Sequence, residues 1–399
     1  MIALLVVFVL TRATAAWLAD HPLEYGRDVT GDVELYEFWA EGIVDGGSPY
    51  TDVPVQYPPG LLPFILAPET TGDLSSYRTS LIGLMLLIDA LGLIGLVLIA
   101  TRHGSSLGPW TWVVALPLIG PLVYLRLDLV PAVATIWAVE RASRGAWAGA
   151  GVWLGLGAAA KLYPLLLLPI SFVCSPQRRR FVVGAIVVPA LALLPFVLSP
   201  RGLIRNVLEY HAGRDVHIES TWGLLLLVAS KLGLDVSMRF SAESFNVVGP
   251  ASSSVQIAAL VSAVLAVGMT AWFAARALPR GDVEGLADLM FATLAMSIAV
   301  STVFSPQFIL WMLAPGAAAL SSSNTSIRMP VLLLVPIAAL TQWLYPFAYG
   351  HLLAMDAGGL LLLATRNLLV IASAALAFVS LWRKRSRRAY EVRALVTRS

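Results

Sequence analysis

Runs of about 20 apolar residues recur along the whole of this 399-residue chain, and no other feature limits its fold so tightly. A helix of that length closes its own backbone hydrogen bonds and can cross a hydrocarbon layer; open sheets cannot. The strand alternation of a membrane barrel is absent. With 58% apolar residues, 13% charged residues and a mean hydropathy of +0.79, the chain is expected to be an all-α polytopic membrane protein. Spans fall at 2–18, 77–100, 108–125, 129–142, 181–199, 256–277, 284–303, 307–321, 329–347 and 357–382. The first run lacks a cleavage site leading into a soluble domain and is expected to remain as a span.

Basic residues set the orientation. Arg102, Arg141, Arg144, Arg178, Arg179, Arg180, Arg276, Arg280, Arg328 and the run 383–388 share one side if about ten full spans begin and end in the cytoplasm. The apolar segment 146–173 strains that count, because basic clusters flank both its ends. Its 28 residues would extend about 42 Å as a helix, long for one crossing and short for two. It is either a broken hairpin with Lys161 of "KLYP" near the apex or one tilted helix with a snorkelling lysine. The hairpin keeps both clusters on one side. Residues 1–382 then form a single integral-membrane domain with external loops 19–76 and 200–255. Residues 383–399 form a basic cytoplasmic tail. The net charge of +3 gathers beside the spans, so it speaks for orientation and not for nucleic acid. The lone Cys174 and five scattered histidines offer neither a disulfide nor a metal site. "GLGAAAK" (155–161) echoes a dinucleotide fingerprint, but no strand precedes it, and it reads as a packing feature.

One stretch is out of character. "GRDVTGDVELYEFWAEG" (26–42) holds Asp28, Asp32, Glu34, Glu37 and Glu41. From Asp32 the pattern is helical, with Asp32, Tyr36, Trp39 and Ile43 on one face. It is expected to lie on the outer membrane surface, aromatic side down, with the glutamates solvated. Asp32 stands at the start of the helix on the apolar face, as an N-cap, a catalytic carboxylate or both. Asp28 follows Arg27 and can pair with it. In "SPYTDVPVQYPPG" (48–60), Pro58-Pro59 extends the chain and Gly60 turns it into an apolar octet too short to span.

Charges at membrane depth are costly and mark candidate sites. They include Arg12, Arg126 and Asp128 of "YLRLD", Lys161, and Arg366 beside Asn367. Arg126 and Asp128 could equally form an ordinary ion pair. The second loop adds His211, Arg214, His217, Glu219 and Trp222 in "YHAGRDVHIESTW". Asp32, Arg126, Arg214 and Lys161 are expected to approach one external face. Cations there suit a lipid-linked phosphate, and a carboxylate could take the proton of an acceptor hydroxyl. Tyr36, Trp39, Tyr57 and Trp222 could stack on sugar or prenyl carbons, or simply anchor the interface.

"GDVELYEFWAEGIVDGGSPYTDVPVQYPPG", "YLRLDLVPAVATIWAVE", "GLGAAAKLYPLLLLP", "GRDVHIESTW" and "FSPQFILWMLAP" occur in this order. Together they resemble the bacterial GT-C membrane glycosyltransferases of the glycosyltransferase 87-like group, which includes polyprenol-phosphate-mannose-dependent mannosyltransferases. The resemblance implies an inverting hexosyltransferase of the bacterial plasma membrane with its active site on the external face. It would take a sugar, mannose in first place, from a polyprenyl phosphate and pass it to a glycolipid or glycan acceptor. It implies no cofactor and no metal. It assigns the catalytic base to Asp32, with Asp28 in reserve. Donor phosphate would fall to Arg126, Lys161, Arg214 and Arg366, and substrate contacts to Tyr36, Trp39, Tyr57, Asp128, His217, Glu219 and Trp222. Gln56 stands where relatives would carry an acid. A flippase or transporter of lipid-linked sugar is the rival reading, and the lack of inverted repeats weighs against it.

Overall fold

The computed structural model describes residues 1–21, 29–70, 75–197 and 200–396; Asp28 lies outside them. Six helices among the described residues are long and apolar enough to cross a membrane: Ile2–Asp20, Tyr77–His103, Arg178–Phe196, Ser252–Ala277, Arg328–Phe347 and Ala357–Lys384. With Leu129–Ser143, Val283–Ala299 and several shorter apolar helices, they make a mostly helical integral membrane protein.

Two expected spans are interrupted. Over 108–125 the helix stops after Ala115, and the chain continues as 3-10 turns at Pro117–Ile119 and Pro121–Val123. Each proline lacks the N–H that would continue the ladder. The turns deliver Arg126 and Asp128 into the protein interior ahead of Leu129–Ser143. Over 329–347, Tyr345 leaves helical geometry. The segment 146–173 is also broken. Helix Trp147–Ala160 ends where Lys161 turns extended. The 3-10 turn Tyr163–Leu167 and helix Leu168–Cys174 follow. The Gln177 side-chain amide donates to the Gly145 carbonyl at 3.3 Å, so the two ends of the segment meet at one level. Helices Trp147–Ala160 and Arg178–Leu193 pack so closely that a Cβ on Gly151 or Gly184 would stand 2.1 Å from a facing carbonyl oxygen. Small residues in "GAGVWLGLGAAA" permit that approach.

The all-α expectation needs one correction. Loop 200–255 carries a three-stranded antiparallel sheet, Val216–His217 and Ser237–Ser241 flanking Ser244–Val248. Its strands are too short for alternation to stand out in the sequence. Ala242 and Glu243 form the hairpin tip, both in the left-handed region with φ of 51° and 53°.

The start of the first helix, Lys384 of the last, and Arg102, Arg141 and Arg144 lie at one end of the bundle. Thr79 Oγ1 donates to Asp20 at 3.0 Å, which places Met1 toward the far end of Tyr77–His103. His103 lies 3.5 Å from Glu284, the Ser323 amide donates to the His103 carbonyl, and Lys384 Nζ donates to the Asn324 carbonyl at 2.8 Å. Arg102, Arg141 and Arg144 ring the buried Glu140 at this same end. Arg12 is structural. Its guanidinium meets Asp89 at 2.9 Å and donates to the Val113 carbonyl, while Trp112 and Tyr124 also bond Asp89. Three segments are thereby pinned around one buried pair.

Candidate active site

Helix Gly31–Val44 begins after Thr30, which occupies the N-cap position. Asp32 is therefore inside the first turn, where a carboxylate favours the helix dipole, and its side chain is free to reach outward. The aromatic face of the helix does not rest on lipid but turns into the protein. Tyr36 and Trp39 are buried in the protein core, packed with Tyr57 in an aromatic cluster at 5.9 Å centroid spacings. Glu34 and Glu41 are exposed as expected, whereas Glu37 is half-buried.

This docking brings Asp32 to Arg126, with Oδ2 2.5 Å from Nε. Arg126 also donates from Nη1 to Gln307 Oε1 at 2.6 Å. Lys161 does not stand free at its chain break. Its ammonium bonds both oxygens of the buried Asp128 at 2.8 Å, and Trp311 Nε1 donates to the same carboxylate at 2.7 Å. The rings of Tyr57 and Trp311 lie 5.0 and 5.7 Å from Lys161 Nζ. The local pair Arg126–Asp128 is thus replaced by two crossed pairs, Arg126–Asp32 and Lys161–Asp128. Charges two residues apart in the turn point to different partners.

The Tyr57 loop reaches Lys161 because Gly60 seats against the end of helix Trp147–Ala160. A Cβ there would stand 2.5 Å from the Ala159 carbonyl. Gly60→Val is expected to cost about 1–3 kcal/mol through overpacking, read as a lower melting temperature in detergent together with weakened turnover.

A cavity of about 510 Å³ opens over these groups. Asp32, Trp39, Tyr57, Arg126, Lys161, Arg214, His217 and Glu219 line it, as do Gln56 and His211. Tyr36 and Asp128 stand behind the wall and support its lining. Trp222 lies outside it, its indole donating to the Val300 carbonyl at 2.8 Å. Arg366 requires a correction. It is fully buried and donates to the Glu219 carboxylate at 3.0 Å and to the Glu219 carbonyl, so it has no surface to offer a phosphate. Arg214 differs from the other cations. It has no carboxylate within ion-pair distance among the described residues, and its buried Nε lacks a hydrogen-bond partner. Its Nη2 donates to Ser244 Oγ at 3.1 Å. Burial, with Lys161 and Arg214 close by, pushes His211 down to about 4. Burial, with Arg214 and Arg366, pushes His217 down to about 3. Both imidazoles are neutral near pH 7.

Beside this cavity runs a second, of about 470 Å³, lined largely by apolar residues of Ser252–Ala277 and Val283–Ala299. The two share Leu166, His211, Arg214, Ser301, Phe308 and Trp311. At the outer edge of the second, Ile257 and Leu260 are 65% and 67% exposed, so it opens sideways from the bundle. Gln307, Trp311 and Tyr163, which stacks on Trp311 at 4.2 Å, are site residues that the sequence reading missed. Their signal was present in the "FSPQFILWM" and "KLYP" blocks, where polar and aromatic groups interrupt apolar helices.

The protein is thus a polytopic helical membrane protein with a charged cavity joined to an apolar side groove. The sequence model of glycosyltransferase family 87 matches residues 56–306, well over half of the chain. The chain belongs to that family and is a membrane glycosyltransferase. No curated protein matches it.

Proposed function

We propose that the protein is an inverting hexosyltransferase that moves a sugar, mannose in first place, from a polyprenyl phosphate to a hydroxyl of a glycolipid or glycan. The observation that carries this reading is the junction of the two cavities. A polyprenyl-phosphate sugar has an apolar tail, an anionic joint and a polar head in that order. The apolar groove suits the tail, the charged cavity suits the sugar, and Arg214 with His211 stands at the seam where the phosphate would fall. Among the described residues Arg214 is the lining cation left without a neutralising acid, and a half-buried guanidinium in that state favours an anion.

Arg126 and Asp32 hold each other until substrate arrives. A donor phosphate drawing on Arg126 would release Asp32 to accept the proton of the acceptor hydroxyl. That oxygen attacks the anomeric carbon from the face opposite the phosphate. The anomeric C–O bond breaks, and the electron pair leaves with the polyprenyl phosphate. Arg126, Lys161 and Arg214 stabilise the charge that gathers there. The start of the first helix, Lys384 and the arginines around Glu140 at the far end of the bundle support cytoplasmic termini and a site toward the external face of a bacterial plasma membrane.

The test is transfer by purified protein in detergent, supplied with polyprenyl-phosphate mannose and membrane glycolipid extract. Release of polyprenyl phosphate with a glycosylated acceptor is expected. Movement of intact donor across liposomes without cleavage would instead establish the flippase reading.

A further inference from the structure

Resting on that reading, we infer that Glu219 recognises a hydroxyl of a bound sugar, and that Arg366 is the positioning residue that presents it. Three carboxylates line the cavity, Asp32, Glu219 and, at the exposed hairpin tip, Glu243; the first two have very different settings. Asp32 sits in a first helical turn beside an arginine that also lines the cavity. Glu219 is buried and gripped from behind, by groups that do not line the cavity.

The grip is elaborate. Arg366 Nη1 bonds Glu219 Oε2, and Nη2 bonds the Glu219 carbonyl. Asn367 Nδ2 donates to that carbonyl at 3.2 Å and its Oδ1 accepts from Arg366 Nε at 3.0 Å. The guanidinium rests on the Phe304 ring at 4.1 Å. One residue further on, Ser220 Oγ donates to the His217 carbonyl and accepts from the Gly223 amide, both at 2.8 Å, so the turn carrying Glu219 is fixed at both ends. Among the described residues Glu219 Oε1 carries no hydrogen bond, and Glu219 faces the cavity.

A merely structural pair would be expected to use both carboxylate oxygens. This one ties Oε2 and leaves Oε1 without a protein donor among the described residues, in a residue that lines the cavity. Taking up a proton would strip Arg366 of its counter-charge in the interior, which is costly. Burial raises the Glu219 carboxyl from its ordinary range and Arg366 opposes that rise; held in this pair, Glu219 works as a fixed acceptor of a sugar O–H, with the base role left to Asp32. The hydroxyl belongs to the donor sugar or to an acceptor sugar; both present the same chemistry.

The experiment uses the full chain in detergent with polyprenyl-phosphate mannose, glucose and galactose, then monodeoxy analogues of whichever donor and acceptor support turnover. Wild type should lose about 10–100-fold in kcat/KM on one monodeoxy analogue, the loss of a hydrogen bond to a charged group. Glu219→Gln should lose a similar factor on the parent sugar and show little further loss on that analogue. A deoxy donor or a deoxy acceptor as the sensitive compound tells which sugar is read. Inhibition by sugar-free polyprenyl phosphate should be unchanged. Arg366→Lys should raise KM and blunt the same discrimination, which a role in stability alone would not do. If the glutamine variant does not fold, Glu219→Asp keeps the charge, withdraws it by one methylene, and should blunt the same discrimination. Full discrimination retained in the folded Glu219 variant overturns this inference alone. No turnover of any donor by wild type overturns the reading of the cavity and this inference with it.

Discussion

Asp32→Asn is expected to lower turnover by about 10²–10⁴-fold, the range that a positioned general base supplies, while tightening inhibition by sugar-free polyprenyl phosphate. The two effects run in opposite directions for one reason. Asp32 is 2.5 Å from Arg126, so the carboxylate is at once the candidate base and a competitor for the phosphate's cation. Removing its charge abolishes proton acceptance and frees the guanidinium, which Gln307 still orients from Nη1. The isosteric amide keeps the start of helix Gly31–Val44 intact. Steady-state kinetics with a polyprenyl-phosphate sugar and a Ki for the bare lipid phosphate provide the check. Turnover at the wild-type rate would remove Asp32 from the chemistry. Equal weakening of turnover and lipid-phosphate binding would make it a structural residue.

The largest effect on stability is expected at Lys161. Lys161→Met leaves Asp128, whose side chain is 1% exposed, buried with the Trp311 indole as its one remaining side-chain donor among the described residues. Breaking one side of such a pair typically costs about 3–5 kcal/mol, and the melting temperature in detergent should fall accordingly. Lys161→Met with Asp128→Asn removes both charges and should recover most of that loss. Turnover should not recover, because the cation over Tyr57 and Trp311 is then missing from the phosphate side of the cavity. A double variant as active as wild type would confine Lys161 to a structural role. One as unstable as the single variant would show that packing around the break at Lys161, not charge, sets the cost.

Much of this could be read from the residues in order. Apolar runs gave the spans because hydropathy acts locally, and flanking arginines pointed to the break near Lys161. Asp32 stood out as an acid on the apolar face of a helix. Partner choice was not legible. Arg126 is two residues from Asp128 in "YLRLD", yet each pairs with a residue more than thirty positions away. Only the fold decides between such options. Arg366 was misread for the same reason, since an arginine in an apolar helix looks alike whether it faces a ligand or a buried glutamate. The small sheet was missed because strands of two and five residues give too short a run for a period to stand out. The family match ends at residue 306 and starts at 56, so it leaves Asp32, Gln307 and Trp311 to be judged on geometry.

The hydrogen bond from Gln177 to Gly145 bears on how such a chain can change over evolutionary time. Whatever enters the bundle after residue 145 comes back to its starting depth by 177, so the excursion adds no net passage. A wedge of this kind can lengthen, shrink or be exchanged without turning the downstream half inside out. The compartment assignment of everything beyond it then stays put, whatever happens to the length of the excursion.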